Sequence, residues 1–235
     1  MIIEIIVQDT TDARIAEEYG ANRLELVTAM TEGGLTPSYG VIKEVVQAVS
    51  IPVHVMVRPH GYSFTYSEDD KTVILEDVKA CKELGAAGIV FGSLTEDGEI
   101  DEALLEKVIK AADGMKITFH RALDEAKNIV EAYKTLQTYS DSIQTVLTSG
   151  GAQKALDGVE NLLEMLSLSS DKPSPVVMPG SGLSHNNIVE LHEKLQATQY
   201  HFGSAVRING KFSEPINGNT IKTIKQLLES YNKDV

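Results

Sequence analysis

A single cysteine, Cys81, stands in a chain of 235 residues. No internal disulfide can form, and a zinc site built from several thiolates is excluded. Basic residues are also few: 21 Lys and Arg face 34 Asp and Glu, for a net charge of −13. A surface of that sign repels nucleic-acid phosphates and anionic lipid headgroups, so neither nucleic acid nor a membrane is an expected partner. Nowhere does the chain approach the ~18 consecutive apolar residues of a membrane span. Its opening, "MIIEIIVQD", lacks a basic stretch, and its apolar run is too short for a secretory signal. With cysteine so scarce, these absences predict a cytoplasmic protein. Low-complexity segments are missing too.

What is present is a regular alternation. The composition, 42% hydrophobic, is enough for one full core, and residues 1–235 are predicted to form one domain. Eight short β-branched runs recur: "IIEIIV" (2–7), "RLELV" (23–27), "PVHVMV" (52–57), "GIVFG" (88–92), "KITFH" (116–120), "TVLTS" (145–149), "PVVMP" (175–179) and "QYHFG" (199–203). They return roughly every 30 residues, the length of a βαβ step. Helical patterns lie between them, as over 101–112, 152–166 and 219–231. Strand–helix alternation predicts parallel βαβ units, and eight of them predict an α/β fold, a (β/α)8 TIM-type barrel. An open doubly wound sheet is the alternative. Thr36–Pro37 reads as a cap followed by the first turn of a helix, and Gly85 as a helix-ending glycine. Residues 167–175 read as a linker into strand seven, and 207–218 as a turn-rich loop.

Side chains alternate along a strand, so parity sorts them. Val53, Val55 and Val57 suit the helix-facing side, which turns His54, Met56 and Arg58 inward. The same rule points Glu4, Glu25, Thr118, His120 and His201 into the barrel. A barrel interior is normally filled by branched apolar side chains, and charges are tolerated there only when paired. Two readings follow. One is an ion-pair plug with Arg58 neutralising Glu4 or Glu25. The other is a pocket, because Arg58 and His120 end their strands and barrel sites lie at that end. Under the second reading Glu25 and His120 are acid–base candidates, with Arg58 stabilising charge. Glu4, Arg121, Asp124, Thr148 and Ser149 would add substrate contacts. The turns holding Gly180, Ser181, Gly182, Gly203 and Ser204 would offer N–H groups to an anion, although tight turns alone explain such glycines equally well.

Six segments carry a resemblance: "ANRLELVTAMTEGGLTPSYGVI", "IPVHVMVRPHG", "GIVFGSLTEDGEID", "TFHRALD", "VLTSGG" and "MPGSG". In this order and spacing they resemble the CutC family, named for copper homeostasis, over residues 1 to about 206. The resemblance implies a cytoplasmic barrel, a homo-oligomer, and Cu(I) as the bound metal. The chain departs from the family pattern at Val27, where relatives often carry cysteine. It departs again at His60, Tyr62 and Ser63, where Arg, Gly and Asp are usual. Cu(I) prefers thiolate and thioether ligands. Cys81 is the one thiol, and His54, Met56 and Met178 are the other candidate ligands, each also readable as core packing. Copper handling therefore stands beside an enzyme of lyase, isomerase or hydrolase type acting on a small anionic or phosphorylated substrate. A catalytically silent scaffold is the third possibility.

Overall fold

The computed structural model describes residues 1–170 and 173–231. Eight strands alternate with eight helices: β1 (Ile2–Val7), α1 (Thr10–Glu18), β2 (Arg23–Leu26), α2 (Tyr39–Ala48), β3 (Val53–Met56), α3 (Glu68–Glu83), β4 (Gly88–Phe91), α4 (Glu102–Ala112), β5 (Lys116–Phe119), α5 (Ile129–Gln137), β6 (Ile143–Thr148), α6 (Val159–Ser170), β7 (Val176–Pro179), α7 (Ile188–Leu195), β8 (Gln199–Phe202) and α8 (Gly218–Tyr231). All pairing is parallel, in the order β7-β6-β5-β4-β3-β2-β1-β8, and β8 packs beside β7 to close the ring. This is the TIM-type barrel, and the open-sheet alternative falls.

Parity holds around the ring. Ile3, Ile5, Leu24, Leu26, Val53 and Val55 join the large core between strands and helices. Ile6, Val27, Met56 and Val90 form a separate small cluster inside the barrel. Between β5 and β6 the register slips after Ile117, so Gln144 is skipped and Thr118 pairs with Thr145. A bulge of this kind preserves the inward face on both sides of the slip.

Helix ends follow their chemistry, with three corrections to the sequence reading. Ser67 and Asp70 form a capping box at the start of α3, and Gly85 follows its end at φ +83°. Thr36 does not cap α2; Ser38 does, and Pro37 precedes the helix. The Thr36 hydroxyl instead accepts the Arg58 N–H at 2.9 Å, while Thr36 N–H donates to the Arg58 carbonyl at 3.0 Å. The helix expected over 152–166 begins only at Val159. Gly150 and Gly151, at φ +75° and +77°, hold the preceding residues in a loop that ends in a 3-10 turn at Ala155–Asp157. The expected linker at 167–175 is helical through Ser170, and residues 171–172 lie outside the described residues. The 207–218 segment is a loop, pinned by a buried Arg207–Asp12 ion pair at 2.5 Å.

Candidate functional site

Strand register determines which interior charges meet. Glu4 of β1 lies level with Arg23 of β2 and with His201 of β8, while Glu25 lies level with His54 of β3. Arg23 Nε donates to Glu4 Oε2. The same guanidinium donates to Gln199 Oε1 at 2.8 Å and meets Met178 Sδ at 3.2 Å. His201 Nδ1 bonds the other Glu4 oxygen at 2.8 Å, and its Nε2 lies 3.7 Å from Glu25 Oε2. The buried cation of this network is therefore Arg23, not Arg58. The sequence reading missed Arg23, although parity could have found it, since it precedes Glu25 by two residues and shares its face.

Arg58 does different work. Its guanidinium donates to the carbonyls of Glu32, Gly33 and Gly61 at 3.1 to 3.4 Å and lies 4.4 Å from the centre of the Phe64 ring. It ties the loops after β2 and β3 together. Asp124 is a second organising residue. It accepts from Thr148 Oγ1 at 2.5 Å, Ser149 N and Gly151 N at 3.0 and 3.1 Å, and Arg121 Nε at 2.7 Å. Thr148 and Ser149 are thus spent on Asp124, and the three together aim Arg121.

Above the network, at the strand C-terminal ends, opens a cavity of about 390 Å³. Glu25, Arg58 and His120 all line it, as do Arg121, Ser181, Gly182, Gly203 and Ser204. Glu4, Asp124, Thr148, Ser149 and Gly180 do not. Glu4 lies beneath the cavity floor, fully buried. Gly180 serves packing, because a Cβ there would sit 2.5 Å from a Leu147 methyl. Sequence reasoning missed the apolar wall formed by Met30, Phe64, Leu183 and Phe212, which comes from loops whose path no local pattern reveals.

The electrostatics separate the ionisable groups. Burial opposes the charge on Glu4, but Arg23 and His201 hold it well below the ordinary carboxylate range. Burial pushes Glu25 up to about 7, reinforced by Glu4 and opposed by His201 and Arg23. Burial works against protonation of His201, yet Glu25 and Glu4 raise it. Because ionised Glu4 is an acceptor only, His201 must carry a proton on Nδ1, which leaves Nε2 facing Glu25. At 3.7 Å, beyond hydrogen-bond range, Glu25 and His201 each favour the charged form of the other. Burial and the Arg58 charge drive His120 down to about 3, and burial takes His54 to about 4.

Glu4, Glu25 and His201 bring one ligand atom each within 4.8 Å of one another and could hold a metal ion. Their donors are two oxygens and a nitrogen, a set that suits a borderline or hard divalent cation better than Cu(I). Cys81 is buried on α3, outside the ring of strands, and burial with the nearby Asp77 pushes its thiol up to about 12. Neither arrangement fits the thiolate chemistry expected of Cu(I).

Among the described residues, no helix is long and apolar enough to cross a membrane. A structure of the putative copper homeostasis protein CutC from Streptococcus agalactiae is 26% identical, with a TM-score of 0.80 over 86% of this chain and 98% of its own. Phosphoribosyl anthranilate isomerase from Thermotoga maritima shares the fold alone, at 12% identity and a TM-score of 0.64 over 98% of this chain and all of its own. The copper homeostasis protein cutC homologs of Mus musculus and Homo sapiens are each 40% identical over 200 residues, 85% of this chain and 72% of theirs. The CutC family model matches residues 1–206. The chain, a homologue of these copper homeostasis proteins, belongs to the CutC family.

Proposed function

We propose that the cavity binds a small anionic, phosphorylated compound and performs general acid–base chemistry on it. The observation that carries this reading is the Glu25–His201 pair. A buried carboxyl with one oxygen unpartnered faces an imidazole nitrogen, at the floor of a cavity at the strand C-terminal ends. A proton held near neutrality is what an acid–base catalyst needs. Glu4 and Arg23 orient His201 from below, a positioning role. Arg121, with 41% of its side chain exposed, supplies a cation at the cavity wall in an otherwise acidic protein. The turns at Ser181–Gly182 and Gly203–Ser204 share that cavity. Arg58 acts by shaping the wall and by keeping His120 uncharged.

A second reading rests on the Glu4, Glu25 and His201 cluster as a metal site, in keeping with the copper homeostasis name of the relatives. Arg23 competes with it, since a cation bound by Glu4 must displace or tolerate the guanidinium. Acid–base chemistry needs no such rearrangement and is the preferred reading.

Thermal unfolding with glycerol 3-phosphate and dihydroxyacetone phosphate, against glycerol and dihydroxyacetone, tests the proposal. At tenfold excess over Kd a ligand adds about 1.4 kcal/mol, worth roughly 3 °C in a chain of this size. A rise of that order with the phosphate esters alone, reduced in Arg121→Ala, is expected. No shift, or equal shifts with the neutral compounds, would overturn it.

A further inference from the structure

The hydrogen bonding of His120 has a single consistent assignment. Its Nδ1 accepts the backbone N–H of Ala122 at 3.1 Å, as the cap of the 3-10 turn Arg121–Glu125. A flipped ring would set a carbon against that N–H and leave a buried donor unpaired. Nδ1 is therefore the unprotonated nitrogen, and in the neutral ring the proton sits on Nε2. That Nε2 is buried and has no partner. The residue is only 4% exposed, and it lines the cavity.

The ring is clamped in this pose. Gly92 leaves room for it, because a Cβ there would lie 2.5 Å from Nδ1. Phe64 packs on it with ring centres 5.0 Å apart. The charged groups facing it are both cations: Arg58 from the end of β3 and Arg121 from its own turn. Among the described residues no carboxylate bonds the ring. Burial and both cations resist imidazolium, outweighing a backbone hydrogen bond that favours it, and among the described residues nothing accepts from the Nε2–H. A buried donor without a partner is costly, about 1 to 3 kcal/mol, so its retention calls for an acceptor.

We propose that His120 is held as a fixed, neutral Nε2–H donor whose acceptor is a carbonyl oxygen of the ligand, so that the substrate is an anionic carbonyl compound. This rests on the acid–base reading of the cavity and narrows it to proton transfer at the carbon beside a carbonyl. Glu25, its charged form favoured by His201, takes the proton from that carbon as a carboxylate. The C–H electron pair becomes the carbon–carbon double bond, and the carbonyl π pair moves onto oxygen. The Nε2–H bond of His120 strengthens as that oxygen gains charge. Returning the proton to the same carbon restores the substrate. Where that carbon carries a hydroxyl, its O–H proton passes to the enolate oxygen, the carbon-bound proton returns to the other carbon, and a new carbonyl forms where the hydroxyl was, with atoms and electrons balanced. A neutral imidazole suits this role, since an imidazolium would hand over its proton too early.

Two measurements decide. Nitrogen-15 NMR of histidine-labelled protein between pH 5 and 8 is expected to show His120 neutral, with the proton on Nε2, throughout. A charged ring at pH 6, or a proton on Nδ1, would overturn the proposal. Binding is then compared for phosphoglycolohydroxamate, a planar enediolate mimic, and ethyl phosphate, which has the anion and no carbonyl. Wild type is expected to prefer the hydroxamate. His120→Ala is expected to lose about 10- to 100-fold in hydroxamate affinity, the worth of a hydrogen bond to a charged group, with a much smaller change for ethyl phosphate. If ethyl phosphate binds and the hydroxamate gains nothing, the carbonyl assignment alone fails. If neither binds, the anion reading fails and the carbonyl assignment falls with it.

Discussion

Replacing Arg23 with methionine isolates the buried charge network. The side chain is buried against a fully buried Glu4, so little water can compensate for its loss. Removing one member of such a pair typically costs ~3–5 kcal/mol, because the surviving charge stays desolvated. In the wild type Glu4 is depressed below its ordinary 4.5. Its contribution is therefore present above pH 4.5 and lost as pH falls through the depressed value. In Arg23→Met the largest lowering influence is gone while burial still opposes the charge, so the Glu4 pKa rises, although His201 continues to lower it. The variant is then penalised most near neutrality, and the deficit shrinks below the raised pKa by up to about 1.4 kcal/mol per pH unit. Urea unfolding of both proteins at pH 7.5 and 5 measures this, as a difference in midpoint at constant slope. Arg58→Met is the control. Its hydrogen-bond partners are backbone carbonyls, which do not titrate, so its loss leaves Glu4 untouched, and any change with pH comes through His120, which Arg58 helps to keep uncharged. An Arg23→Met loss under ~1 kcal/mol, or one that does not change with pH, would refute the assignment of Arg23 as the network's cation.

Glu25→Gln should become more stable relative to wild type as pH rises from 4.5 to about 7, the window over which a raised carboxyl must lose its proton on burial. The gain, roughly 1 to 3 kcal/mol after the compensating His201 charge, should appear in urea unfolding at pH 8 and vanish at pH 4.5. Gly92→Ala would drive a methyl against His120 and should cost ~1–3 kcal/mol by overpacking, with a displaced His120 resonance as the diagnostic sign. Cys81→Ala should leave Cu(I) binding, measured against a competing chelator without oxygen, as weak as in wild type. One-to-one binding that depends on Cys81 would show that α3 opens to admit the metal.

Much of this protein was legible without coordinates. Local periodicity marks all eight strands within a few residues, because each is a short apolar run between turn-forming residues. Period-two alternation then names Glu4, Glu25, His54, His120 and His201 as inward. Alternation does not say which inward residues are level with one another. That depends on strand register, which sets Arg23 and His201 on either side of Glu4 and leaves Arg58 above, at the rim. It also depends on loop paths. Glu32, Gly33 and Gly61 offer their carbonyls to Arg58 only because two loops converge there, and Asp124 captures Thr148 and Ser149 across a separation of about 25 residues. Residue type and spacing determined the barrel and its polar lining, through short-range sterics and burial. Pairing of charges, the tautomer of His120 and the wall of the cavity were decided by tertiary structure, because each is a contact between distant segments that only the closed ring brings together.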